Sequence, residues 1–100
     1  QSYFGEADLT EADFSDMNLQ NSVFEKAKCR KTDFSRSHCK YADYSYADLT
    51  DADFTSANLT LARMHLTIEK NAIWKGANRM LLRGTDKDMA EAETWSPPQR

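Results

Sequence analysis

A hydrophobic residue recurs every five positions along most of this chain, and that period limits what it can fold into. The series runs Phe4, Leu9, Phe14, Leu19, Phe24, Cys29, Phe34, Cys39, Tyr44, Leu49, Phe54, Leu59, Met64, and all thirteen of these centres are apolar or aromatic. Two residues before each centre, from Ala7 to Ala77, the residue is small in fourteen of fifteen cases, Met17 being the exception. The residue just before the centre is Asp or Asn in nine of those fifteen. A period of five belongs neither to an α-helix nor to a flat strand. It asks for a backbone that turns a corner every five residues and sends the small residue and the centre inward. Four such sides close a square coil of 20 residues, and stacked coils pair their backbones as in other solenoids.

The stretches Ala7-Asp8-Leu9, Ala12-Asp13-Phe14, Ala47-Asp48-Leu49, Ala52-Asp53-Phe54 and Ala57-Asn58-Leu59 resemble the pentapeptide repeat family. The resemblance implies an all-β fold, a right-handed quadrilateral β-helix of about four coils. Composition agrees: two Ile and one Val are few for a sandwich, and three Gly and two Pro are few for a meander.

In a 20-residue register, position i lies under i+20. The centres then sort into columns: Phe4, Phe24, Tyr44, Met64; Leu9, Cys29, Leu49, Glu69; Phe14, Phe34, Phe54, Trp74; Leu19, Cys39, Leu59, Arg79. Aromatics stack on aromatics, and aliphatics or cysteines on their own kind. Glu69 and Arg79 break the pattern. Because a buried, unpaired charge is costly, the last coil is expected to deform, with Ile68 turned inward. We place the solenoid at residues 1–80 and a C-terminal cap and tail at 81–100. There Thr85, Asp86 and Asp88 read as a helix start that carries Met89 and Trp95, with Leu82, over the last coil.

The net charge of −3 is too mild to point to nucleic acid, and no apolar run has membrane length. A cytoplasmic protein is expected. The basic run Lys26, Lys28, Arg30, Lys31, Arg36, Lys40 faces acids one coil away: Glu6, Asp8, Glu11 and Asp16 below, Asp48 and Asp51 above. It reads as a charge ladder rather than a nucleic-acid patch. Asp13, Asp33 and Asp53 form an outward carboxylate column. A flat column spaced by ~4.8 Å converges poorly on a cation. Cys29 and Cys39 point inward from opposite walls, with His38 and His65 outward, so neither a zinc site nor a disulfide is expected. No hydroxyl or thiol meets a base, so no catalytic residue, metal or cofactor is assigned.

Tyr41, Tyr46, Leu61, Leu66 and Leu81 fall at outward positions of the upper coils, and exposed apolar groups in one region mark a contact surface. The reading is a non-catalytic scaffold that binds a protein partner through Tyr41, Tyr46, Leu61 and Leu66. A domain upstream in the same chain, or a second copy, would meet the open end of the coil. The tail is similar to those of type VI secretion accessory proteins with such repeats, which implies the C-terminal part of a larger bacterial protein. The competing reading is a DNA mimic that binds DNA gyrase or topoisomerase IV through the Asp13, Asp33, Asp53 column, as some members of the family do.

Overall fold

The computed structural model describes residues 2–84. Thirteen parallel bridges join the chain to itself, from Tyr3 with Val23 to Arg63 with Arg83, and every one links residues 20 apart. Four coils of the expected register follow: residues 2–21, 22–41, 42–61 and 62–81. Each has four walls, numbered in chain order, with centres at Phe4, Leu9, Phe14 and Leu19 in the first coil.

Every corner is the same turn. In the interior coils the residue after the corner donates its N–H back to the centre carbonyl, as Ala47 does to Tyr44 at 2.9 Å. The residue between them lies in the left-handed region, from Glu6 at φ 61° to Leu81 at φ 57°. A positive φ at the third turn residue is the type II pattern, which favours glycine. Only Gly76 supplies one; fifteen other corners use residues with a Cβ, each at a cost of about 1–2 kcal/mol. Inter-coil pairing and the core offset that strain. The Phe34 N–H donates upward to Asp53 O at 2.7 Å, and the Asp53 N–H donates downward to Thr32 O at 3.0 Å.

The Asp or Asn before the centre has a local role. In all nine cases its Oδ1 accepts the N–H two residues on, as Asp13 does from Ser15 at 2.9 Å and Asn58 from Thr60 at 3.1 Å. These Asx turns satisfy an amide that the corner would leave without a partner, which is why the position selects Asp and Asn.

Two aromatic columns fill the core from opposite walls. Phe24 stacks on Tyr44 with centroids 4.8 Å apart, and Phe34 on Phe54 and Phe54 on Trp74 at the same distance. The columns meet edge to face, as Phe24 and Phe34 do at 5.4 Å and 87°. Cys29 and Cys39 are buried free thiols. Burial pushes Cys29 up to about 12, and Cys39 is also raised by burial. Tyr44 replaces Phe where the smaller thiol leaves room, and its hydroxyl donates to Cys39 Sγ at 3.3 Å.

The last coil departs from expectation. It keeps the register: Leu49 N–H donates to Ile68 O at 2.7 Å, and Ile68 pairs with Asp48. Ile68 does not turn inward; it is 54% exposed. No deformation is needed, because Glu69 and Arg79 occupy the final layer and are exposed. The Arg79 guanidinium lies 5.1 Å from the Trp74 ring centroid, and Glu69 accepts the Thr67 hydroxyl at 2.7 Å. His65 is the opposite correction: expected to point outward into solvent, it is wholly buried. The expected C-terminal helix, with Met89 and Trp95, lies outside the described residues.

Candidate functional site

The left-handed corners fix the geometry of the surface. Asn21, Tyr41, Leu61 and Leu81 stack along the edge before the first wall; Glu6, Lys26, Tyr46 and Leu66 stack along the edge after it. The first edge is polar only at Asn21 and apolar from Tyr41 upward; the second is polar at Glu6 and Lys26 and apolar at Tyr46 and Leu66. The fold imposes the left-handed backbone at each corner but does not ask for an apolar side chain there. Tyr41 is 47% exposed, with Lys40 Nζ 5.7 Å from its ring centroid, and Leu81 is 67% exposed. Leu61, Tyr46 and Leu66 are half-buried. The Tyr46 ring meets His65 edge to face at 5.4 Å.

Three further apolar residues continue this surface around the fourth coil: Ile68, Ile73 and Met80, all exposed. The sequence reading did not include them in the partner surface. The signal lay in their columns: Asp8, Lys28, Asp48 end in Ile68, and Asp13, Asp33, Asp53 end in Ile73. Each polar column turns apolar at its last member.

The carboxylate column is assembled as a ladder, with Asp13 paired to Asp33 and Asp33 to Asp53. One oxygen of each is held in its own Asx turn, and Ser15 and Ser35 add their hydroxyls at 2.6 Å. The Ser15 hydroxyl and then its amide hold Asp13 below the ordinary carboxylate value. Among the described residues no group of His, Cys, Asp and Glu is arranged to hold a metal ion.

The basic coil is tied into its neighbours. Arg36 forks onto Asp16 at 2.9 and 3.0 Å, as the register predicts. The Lys28 backbone bridges to those of Asp8 below and Asp48 above. Arg30 reaches diagonally to Asp48 at 2.7 Å, a contact that column arithmetic misses. Burial pushes Asp48 up, but hydrogen bonds from Thr50 and Arg30 outweigh it and hold the carboxyl below its ordinary value. Among the described residues no helix is long and apolar enough to cross a membrane.

Known proteins agree with this geometry. The profile of pentapeptide repeats matches residues 2–38 and 32–68, eight copies in all. The chain belongs to the pentapeptide repeat family, and its fold is the right-handed quadrilateral β-helix. A pentapeptide repeat protein from Nostoc Pcc 7120 superposes with a TM-score of 0.73 at 23% identity, over 88% of this chain and 80% of that one. A second, from the Arabidopsis thaliana thylakoid lumen, gives 0.53 at 25% identity, over 92% and 72%. No curated protein matches.

Proposed function

We propose that the chain is a non-catalytic protein-binding module whose contact surface is the apolar part of its solenoid from Tyr41 upward. One observation carries this reading: the corner column that begins with Asn21 continues as Tyr41, Leu61 and Leu81, and the polar outward columns that begin with Asp8 and Asp13 end in Ile68 and Ile73. Such substitutions give the solenoid no core, since the centres already fill it. They provide apolar area on a rigid frame, which is what a protein partner can bury. Tyr46 and Leu66 border the same surface. A preceding domain or a second copy would add to the first coil, where the N–H groups of Asp8, Asp13 and Asn18 have no backbone partner among the described residues. Placement in a type VI secretion accessory protein rests on the likeness of the tail.

The test compares three immobilised chains: the wild type, a Tyr41→Ser/Leu81→Ser variant, and an Asp13→Asn/Asp33→Asn/Asp53→Asn variant. Proteins captured from bacterial lysate are identified by mass spectrometry. A partner retained by the wild type and the Asn variant but lost by the Ser variant supports the apolar surface. Gyrase or topoisomerase IV subunits retained by the Ser variant and lost by the Asn variant would replace this reading with DNA mimicry.

A further inference from the structure

Net charge alternates along the stack. The first coil carries five acids and no base, the second six bases and two acids, the third four acids and no base, and the fourth four bases and one acid. Bases of the second coil meet acids below and above: Arg36 forks onto Asp16, and Arg30 reaches up to Asp48. Two bases of the fourth coil do not. Lys70 and Lys75 are exposed on its second and third walls, and one coil below them stand Thr50 and Thr55. Among the described residues no carboxylate lies within ion-pair distance of either ammonium.

The same two walls also lack the turn chemistry of the coil beneath. In the third coil Asp48 accepts the amide and hydroxyl of Thr50, and Asp53 those of Thr55. One coil higher, Asp-x-Thr is replaced by Ile68-x-Lys70 on one wall and by Ile73-x-Lys75 on the next. Isoleucine offers no side-chain acceptor, so among the described residues the Lys70 and Lys75 amides have no partner. Ile68 is 54% exposed and Ile73 47%, so neither adds to the core. Each wall therefore presents an apolar group, an amide and an ammonium where the coil below holds a carboxylate.

We propose that these two walls bind an acidic segment of a protein partner, one carboxylate at Lys70 and one at Lys75, with apolar side chains against Ile68 and Ile73. Each partner carboxylate takes the part that Asp48 and Asp53 play one coil below, accepting from the amide and the ammonium together. Charge selects the occupant: the fourth coil attracts an acidic segment and repels a basic one. Shape selects a chain over a bilayer. Adjacent walls of a square coil face directions about a right angle apart, on either side of the corner at Asn71. A polypeptide can turn that corner, whereas a flat membrane touches one wall at a time. This inference rests on the partner-surface reading and specifies the chemistry that two of its walls accept.

The probes are the peptide Glu-Val-Glu-Gly-Glu-Val-Glu and its counterpart with Gln for every Glu, titrated into the isotopically labelled full chain and followed through its amide signals. The acidic peptide should shift the Lys70 and Lys75 amides and bind at least roughly tenfold more tightly than the Gln peptide, a preference that added salt weakens. The variant Ile68→Asp/Lys70→Thr/Ile73→Asp/Lys75→Thr copies the two walls of the third coil. It should melt no lower than the wild type and bind the acidic peptide at least roughly tenfold more weakly. Equal affinity for the two peptides, no binding by the wild type, or undiminished binding by the variant would overturn the proposal. So would phosphatidylserine vesicles that shift both lysine amides where the peptide does not. Each of these results would leave the apolar partner surface standing, because capture with the Tyr41→Ser/Leu81→Ser variant tests that surface separately.

Discussion

The two ends of this solenoid are built on opposite principles. At the N-terminal end the inward positions hold Phe4, Leu9, Phe14 and Leu19, and the outward ones include Glu6, Asp8, Glu11 and Asp13. At the C-terminal end the inward positions include Glu69 and Arg79, and the outward ones Ile68, Ile73, Met80 and Leu81. An inward position is apolar where another layer closes over it and can be charged where none does. Arg79 over Trp74 ends the aromatic column with a cation, while Phe4 and Leu9 leave the other end of the core half-buried. Among the described residues no full coil stacks above the fourth, and its outward positions include apolar groups beside Lys70 and Lys75.

The largest test of this contrast is a pair of truncations. Phe34→Ala removes a ring that stacks on Phe14 and Phe54 and is wholly buried, and should cost about 3–5 kcal/mol in chemical denaturation. Phe4→Ala removes a half-buried ring with one stacked neighbour, Phe24, and should cost less than half as much. Equal costs would mean that the N-terminal end is closed in solution.

Next comes the turn chemistry. Asp33→Ala strands the Ser35 amide and hydroxyl in the middle of the stack and should cost about 1–2 kcal/mol. Asp33→Asn keeps the Oδ1 acceptor and should be close to neutral. Thermal melts of the two variants separate turn chemistry from charge. A large loss in the Asn variant would show that the carboxylate's charge matters to the fold.

These residues also show how far the sequence could be read. The centres, the 20-residue register and the aromatic columns were legible because one repeat is copied until chance is excluded. The Asp and Asn before the centre were visible as a pattern, but their meaning was not, since an Asx turn depends on a local backbone angle. Glu69 looked like a buried charge because a repeat pattern does not mark where layers stop. Ile68 was moved inward for the same reason. The outward position of His65 was inferred from its slot alone, yet Ser35 and Ser45 occupy the same slot and are buried as well. Of the proposed surface, Tyr41, Tyr46, Leu61 and Leu66 could be named as apolar residues in outward slots, but their unequal exposure could not.

A smaller effect probes the C-terminal end directly. Arg79→Ala uncovers the outer face of Trp74 and should cost about 0.5–1 kcal/mol, the range of an exposed cation–π contact. Arg79→Leu should keep most of that stability but make this end resemble the other one. Concentration-dependent association, followed by light scattering on a sizing column, is the expected result. A strictly monomeric Leu variant would show that the charge at this position is not what ends the stack.

The smallest effect is electrostatic, and it falls mainly at the opposite end. The carboxyls held below their ordinary value are Asp8 and Asp13, through hydrogen bonds from Thr10 and Ser15, Asp16, through Arg36, and Asp48. Three of these four lie in the first coil. A depressed carboxyl stabilises the fold fully above its unfolded value, here 3.8, and that contribution is lost as pH falls through the lower folded value. Solvent screening keeps each contribution small, but they share one coil. Lowering the pH from 6 to 3 should therefore loosen the first coil before the fourth. Amide hydrogen exchange, corrected for its intrinsic pH dependence, reads this coil by coil. Protection of Phe4, Leu9 and Phe14 amides should fall more than that of Ile68, Ile73 and Asn78. A uniform loss would mean that the four coils open as one unit, and the difference between the ends would then be one of surface chemistry without a difference in local stability.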